Sequence, residues 1–285
     1  MNEALAAAVV LFHPDLDELK RNIKSYLFFV SRLIIVDNTP GGSGLQEELL
    51  HDEKVFYLAN KKNEGIAAAL NQAASLAFNE KFEWLLTMDQ DSYFETGELE
   101  KYLSVFKERF INNQSIAVVA PSQEKTGGDA KPDFVEENAV ITSGNLLNLR
   151  IWNKLGGFEN KLFIDEVDHD YCYRAKSAGF KVIRFLNVQL NHRLGTKKEA
   201  GYGGIISKSK RTVHSPTRVY FMVRNYLYVR HKYKSNLPGE FKKRDKMLLT
   251  ALKNNLFFSG HFFQTLASIR KGYRDFKRSN FEATL

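Results

Sequence analysis

The run Trp84-Leu85-Leu86-Thr87-Met88-Asp89-Gln90-Asp91 decides the fold. Five residues suited to a buried strand lead straight into two carboxylates one residue apart. An apolar strand without polar alternation is covered on both faces, as in a parallel sheet flanked by helices. Ligands of such sheets sit beyond the carboxyl ends of the strands. The quoted run therefore reads as a central strand whose end offers Asp89 and Asp91 to a ligand.

Outward from it the pattern repeats. Segments 5–12, 33–37, 55–59, 84–89 and 116–120 read as short strands, with helices expected at 15–29, 44–51, 65–78 and 97–110. This alternation gives right-handed βαβ units and a largely parallel α/β sheet. Four strand ends carry polar residues: Phe12-His13, Asp37-Asn38, Asn60 with Asn63, and Asp89-Gln90-Asp91. Downstream, 127–132 reads as a polar loop, 139–149 as a β-like run and Gly156-Gly157 as a turn. A helix is expected from Asp168 to Gly179, then a strand over 181–185.

The 285 residues suit one catalytic domain plus an appendage. Charge is divided unevenly. Residues 205–285 hold 18 Lys/Arg against 4 Asp/Glu, and the rest hold 23 against 29. We expect a catalytic domain over 1–205 and a basic amphipathic helical region over 206–285. In that region the tract from His214 interleaves Tyr220, Phe221, Arg224, Tyr226 and Tyr228 with basic residues. Part of it is expected to pack on the catalytic domain, and the rest to meet an anionic membrane surface. Cys172 is the only cysteine, which excludes an intrachain disulfide and a cysteine metal site and fits a reducing cytoplasm. No signal peptide is expected, and the uncharged stretch 254–268 is too short to span a bilayer.

Asp89 and Asp91 at a strand end suit one hard cation, or else a solvated turn. Asp165, Asp168 and Asp170 precede or open a helix. There they either favour its dipole or supply a general base. His192 lies in a polar turn and is either structural or exposed, or completes a mixed oxygen and nitrogen shell around Mn²⁺ or Mg²⁺. Asn63 and Gly65 open a helix, either as an ordinary capped loop or where backbone N–H groups face a phosphate or base. The chain has no GxxxxGK[ST], no strand-linked GxGxxG and no GxSxG, which argues against NTPase, dehydrogenase and α/β-hydrolase chemistry.

Taken in order, VVLFHPD (9–15), IIVDN (34–38), NEGIAAALNQA (63–73), LLTMDQDS (85–92), ITSGNLLNLR (141–150), GGFENKLFIDEVDHDYCYRA (156–175) and LNHRLGT (190–196) resemble the family 2 glycosyltransferases of the GT-A fold. NEGIAAALNQA, the Asp-Gln-Asp form and HSPTRVYFMVRNYLYV (214–229) look most like bacterial rhamnosyltransferases, which use dTDP-L-rhamnose. Galactofuranosyltransferases share the aspartate-rich helix entry and the later histidine, so a UDP-sugar donor stays open.

The resemblance implies a role for each matched residue. Phe12, His13, Asp37, Asn63, Gly65, Asp89 and Gln90 would bind the nucleotide sugar. Asp89, Asp91 and His192 would hold the divalent metal. Asp168 would be the base. Ser143, Gly144, Asp165 and Asp170 would line the acceptor or donor-sugar loop. One base and one metal imply inversion at the anomeric carbon, onto a lipid-linked saccharide or polysaccharide of O-antigen or cell-wall synthesis. The implied location is cytoplasmic, peripheral at the inner face of the plasma membrane, and a homo-oligomer is compatible with it. Basic and aromatic residues also suit a single-strand nucleic-acid platform. No RNP, KH or helix-turn-helix signature is present, so no nucleic-acid partner is expected. A nucleotidyltransferase would show a glycine-rich loop after its first strand, and VVLFHPDLDEL has none.

Overall fold

Apolar strands bury both faces only if helices cover the sheet, and the connections here supply them. The computed structural model describes residues 4–45, 51–123, 133–192, 197–200 and 209–281. They form two compact units, Met1–Asn160 with Val167–Arg193, and Lys161–Glu166 with Leu194–Leu285.

The first unit contains β1 (Ala6–Leu11), α1 (Leu16–Leu27), β2 (Arg32–Asp37), β3 (Val55–Ala59), α2 (Ile66–Asn79), β4 (Trp84–Asp89), β5 (Ser92–Phe94) and α3 (Glu98–Arg109). It continues through β6 (Ile116–Ser122), β7 (Phe134–Glu136), β8 (Asn145–Asn148), α4 (Leu149–Leu155), α5 (Val167–Ser177) and β9 (Lys181–His192). Among the described residues these strands make a nine-stranded sheet in the order β3-β2-β1-β4-β8-β6-β9-β5, with β7 also on β9. β3, β2, β1 and β4 run parallel, as do β6 and β9, while β8, β5 and β7 run against their neighbours. This is the GT-A arrangement that the sequence implied.

Local chemistry explains the elements. Asp15 caps α1 by accepting from the Glu18 N–H at 3.0 Å, and Asp17 and Glu18 occupy the first turn. α2 buries Leu70 and five alanines, Ala67, Ala69, Ala73, Ala74 and Ala77, whose small side chains let it lie close on the sheet. The 139–149 run is strand only over Asn145–Asn148. There the Asn148 side chain accepts from the N–H groups of Arg150 and Ile151 and starts α4 without a loop. The 181–185 strand continues to His192, past a register shift against β6 between Ala120 and Ser122. Of the expected helix over 44–51, residues 46–50 lie outside the described residues, as does the loop over 127–132.

In the second unit β10 (Lys197–Ala200) and β11 (Ser209–Thr212) pair antiparallel, followed by α6 (Pro216–Tyr233), α7 (Pro238–Phe258) and α8 (Phe262–Lys277). Ser215 caps α6 and Pro216 begins it. Of the tract from His214, part was expected to pack and the rest to meet a membrane surface, and four of its residues are packed within this unit. Tyr220, Phe221, Arg224 and Tyr226 are all buried. They form this unit's own core because α8 packs on α6 at Gly272, where an added Cβ would lie 2.8 Å from the Tyr220 carbonyl oxygen.

Candidate functional site

The polar strand ends gather at the carboxyl edge of β1, β2 and β4. Gln90 fastens two of them together. Its Oε1 accepts from the Phe12 N–H at 2.8 Å and its Nε2 donates to the Phe12 carbonyl at 3.2 Å. Asn22 Nδ2 donates to the Gln90 carbonyl at 2.9 Å. Gln90 therefore fixes where Asp89 and Asp91 stand, because its own amide is spent on Phe12. The Phe12 ring is exposed and meets His13 edge-on at 4.5 Å. His13 adopts a left-handed backbone, with its N–H on Thr39 Oγ1 at 3.0 Å.

Asp37 is fully buried. Its carboxylate accepts from the Thr39 N–H at 2.8 Å, the Ser43 N–H at 2.8 Å and the Tyr57 hydroxyl at 2.7 Å. Burial disfavours the charge, yet these hydrogen bonds outweigh it and hold the carboxyl below the usual carboxylate range. Burial and the same carboxylate push the Tyr57 phenol up to about 12. Asp37 is thus a clasp for the 37–43 loop, with three of its roughly four acceptor positions filled. Asn38 Nδ2 donates to the Gly65 carbonyl at 3.1 Å, and Asn63 Oδ1 accepts from the Gly65 N–H at 3.0 Å. Gly65 has φ 84 and ψ 161, a conformation open essentially to glycine alone.

The turn before β8 carries the next contact. Ser143 is buried, and its hydroxyl accepts from the Asp89 N–H at 3.0 Å. Gly144 has φ +80, and an added Cβ would fall 2.7 Å from Pro121 Cγ and 2.9 Å from Leu190 Cδ2. Gly144→Ala is expected to cost about 2–5 kcal/mol, combining left-handed strain with overpacking. Denaturant unfolding reads this directly, and an unchanged midpoint contradicts it.

β5 pairs antiparallel with β9 so that Ser92 faces His192. That register sets the His192 backbone beside the residue following Asp91. The His192 side chain lies outside the described residues, as do Arg193 and Gly195. Among the described residues no three His, Cys, Asp or Glu side chains gather to hold an ion by themselves. Two carboxylates nevertheless fit a hard cation that takes one or two protein carboxylates and completes its shell with substrate phosphate and water.

Asp168 stands in the first turn of α5 with its side chain 21% exposed. It borders a narrow cleft with Thr87, Thr142, Asn145 and Tyr171, next to the turn that holds Asp89. Asp168 Oδ1 accepts from its neighbour's N–H at 2.8 Å and lies 2.9 Å from His169 Nδ1. Asp170 differs. Its side chain is fully buried and pairs with Arg174 Nε at 3.0 Å, while Arg174 donates to the Leu155 and Gly157 carbonyls. Asp170 holds the end of α4 in place. Cys172 is buried, which pushes its thiol up to about 12 and leaves it inert as a nucleophile.

Asp165 belongs to the second unit. Phe163, Asp165 and Glu166 all have positive φ, near 62, 61 and 67. Such backbone persists only where its surroundings enforce it. Asn225 enforces it here, its Nδ2 donating to the carbonyls of Leu162 and Ile164 at 2.5 and 2.6 Å. Arg218 pairs with Asp165 at 3.1 Å and Arg244 with Glu166 at 2.5 Å. Burial raises the Asp165 carboxyl above its ordinary value despite Arg218.

A family profile described as Glycosyl transferase family 2 matches residues 9–184, from β1 into β9. The chain belongs to glycosyl transferase family 2. As a glycosyltransferase of that family it is 26% identical over 300 aligned positions to dTDP-rhamnosyl transferase RfbF of Shigella flexneri, covering 95% of this chain and 97% of that protein. Its fold is similar to that of GalNAc-T7 solved with UDP, GalNAc and Mn²⁺, with a TM-score of 0.55, 13% identity and 66% of this chain covered. TarS of S. aureus is similar too, with a TM-score of 0.51, 14% identity and 97% of this chain covered. The family 2 chain spans 43% and 44% of those two solved chains, under half of each. Four contacts of this glycosyltransferase had no signal in the sequence: Asn22 on Gln90, Tyr57 on Asp37, Ser143 on Asp89 and Asn225 under the 162–165 loop.

Proposed function

We propose that this enzyme transfers L-rhamnose from dTDP-L-rhamnose to a hydroxyl of a lipid-linked or polysaccharide acceptor, with inversion at the anomeric carbon. The observation that carries the reaction is the juxtaposition of Asp168 with the turn holding Asp89, through Thr87, Thr142 and Asn145. The likeness to a dTDP-rhamnosyl transferase along 95% of the chain supports the donor.

Asp89 and Asp91, with His192 in register beside them, would hold Mn²⁺ or Mg²⁺. When bound, that ion supplies charge neutralisation to the departing diphosphate. Gln90 orients the two carboxylates. Phe12, His13 and the loop clasped by Asp37 would wall the base, and Asn63 and Gly65 the other side of the pocket. Asp168 takes the proton of the acceptor hydroxyl. The oxygen bonds to the anomeric carbon as the bond to the diphosphate breaks, from the opposite face. No second protein carboxyl is required, because the leaving group departs as an anion.

A donor panel tests this reading, scored by released dTDP or UDP with and without Mn²⁺. Turnover of dTDP-L-rhamnose above the UDP-sugars is expected. Preference for UDP-galactofuranose would overturn the donor and keep the reaction class.

A further inference from the structure

We infer that the tip of the α7–α8 hairpin is a docking edge for an anionic lipid surface, a property separate from the donor and the chemistry. Phe257, Phe262 and Phe263 crowd the turn between the helices, with ring centroids 6.0 and 5.4 Å apart. They are 59%, 41% and 83% exposed. Three large aromatic side chains held together in water mark an interaction surface rather than scattered exposure.

The turn presenting them is fixed from behind. Asn255 is buried and its Oδ1 accepts from the His214 N–H at 2.6 Å. The Ser259 hydroxyl accepts from the His261 N–H at 3.1 Å and lies 3.5 Å from the Thr265 hydroxyl, with both residues buried. The aromatic cluster is therefore presented by a built turn and not by a frayed end.

Charge selects the partner. No acidic residue occurs between Asp245 and Asp275, while five Lys/Arg do. Lys246, Leu249, Lys253 and Phe257 recur at spacings of three and four and share one exposed helix face. Lys253 lies four residues from Phe257, about 6 Å along the helix axis. Interfacial segments bury their apolar part by about 5–10 Å, so a tip entering end-on sets Lys253 at headgroup level. Among the described residues no helix is long and apolar enough to cross a membrane, so this contact would lie on the surface.

Flotation of the full chain with phosphatidylcholine vesicles, with or without phosphatidylglycerol, tests the inference. Wild type is expected to float with the phosphatidylglycerol vesicles and to detach as salt rises. The triple variant Phe257→Ser, Phe262→Ser, Phe263→Ser should lose binding by at least about tenfold, with unchanged circular dichroism because the side chains are exposed. Lys246→Glu with Lys253→Glu should abolish the preference for the anionic lipid. Equal flotation of the triple variant overturns the proposal, as does wild-type binding that ignores phosphatidylglycerol. Light scattering that shows a dimer lost in the triple variant, without any flotation of wild type, would assign the patch to a second copy instead.

Discussion

Asp168→Asn should cut sugar transfer by about 10²–10⁴-fold, the usual worth of a positioned general base. The substitution keeps the shape and the hydrogen bond from the His169 N–H, and removes the proton acceptor. Donor affinity should stay within a few-fold and the unfolding midpoint near wild type, because the side chain is only partly buried. Asp165→Asn serves as a control, since its carboxylate pairs with Arg218 within the second unit. Asp170→Asn reports on something else. It breaks a fully buried pair with Arg174, so it should lower stability, with the 3–5 kcal/mol typical of a broken buried pair as an approximate ceiling. Full turnover by Asp168→Asn would remove the base assignment.

The second large effect concerns the metal. Titration of dTDP into Asp91→Ala by calorimetry should show Mn²⁺-dependent affinity reduced by at least about 100-fold. Losing an outer-shell partner alone costs about 10–100-fold, and a direct ligand costs no less. His192→Ala should weaken the same binding less. Affinity without Mn²⁺ should be equal in all three proteins. Unchanged Mn²⁺-supported affinity in both variants would contradict the assignment.

The sheet was legible in the chain because its parallel strands are apolar runs that end in polar residues. Ala6–Leu11, Arg32–Asp37 and Trp84–Asp89 all lie where the pattern puts them. β8 was harder to read, because an antiparallel strand of four residues runs straight into a capped helix and shows neither period for long. The candidate residues emerged by type, while their neighbours came only from the fold. Gln90 stood out as a nucleotide contact, and its tie to the Phe12 backbone, which no pattern in the chain announced, came from the fold. Asp170 looked equivalent to Asp168, but one turn of helix points its carboxylate at Arg174 in the interior. The tract around Arg224 read as partly packed and partly open to a membrane surface, with no signal for which residues did which. Its aromatic partners Tyr220 and Phe221 lie under the guanidinium at 5.3 and 5.0 Å within a core. Interleaved cations and rings satisfy one another inside a protein as well as on a surface, so composition alone could not choose.

The anomeric configuration of the transferred sugar tests the central claim most directly. Nuclear magnetic resonance of the product formed from dTDP-L-rhamnose and a lipid-linked saccharide extract reads it in one experiment. A single displacement driven by Asp168 predicts the configuration opposite to that in the donor. A product that retains the donor's configuration would require two displacements or attack from the face of the leaving diphosphate, and would contradict the account.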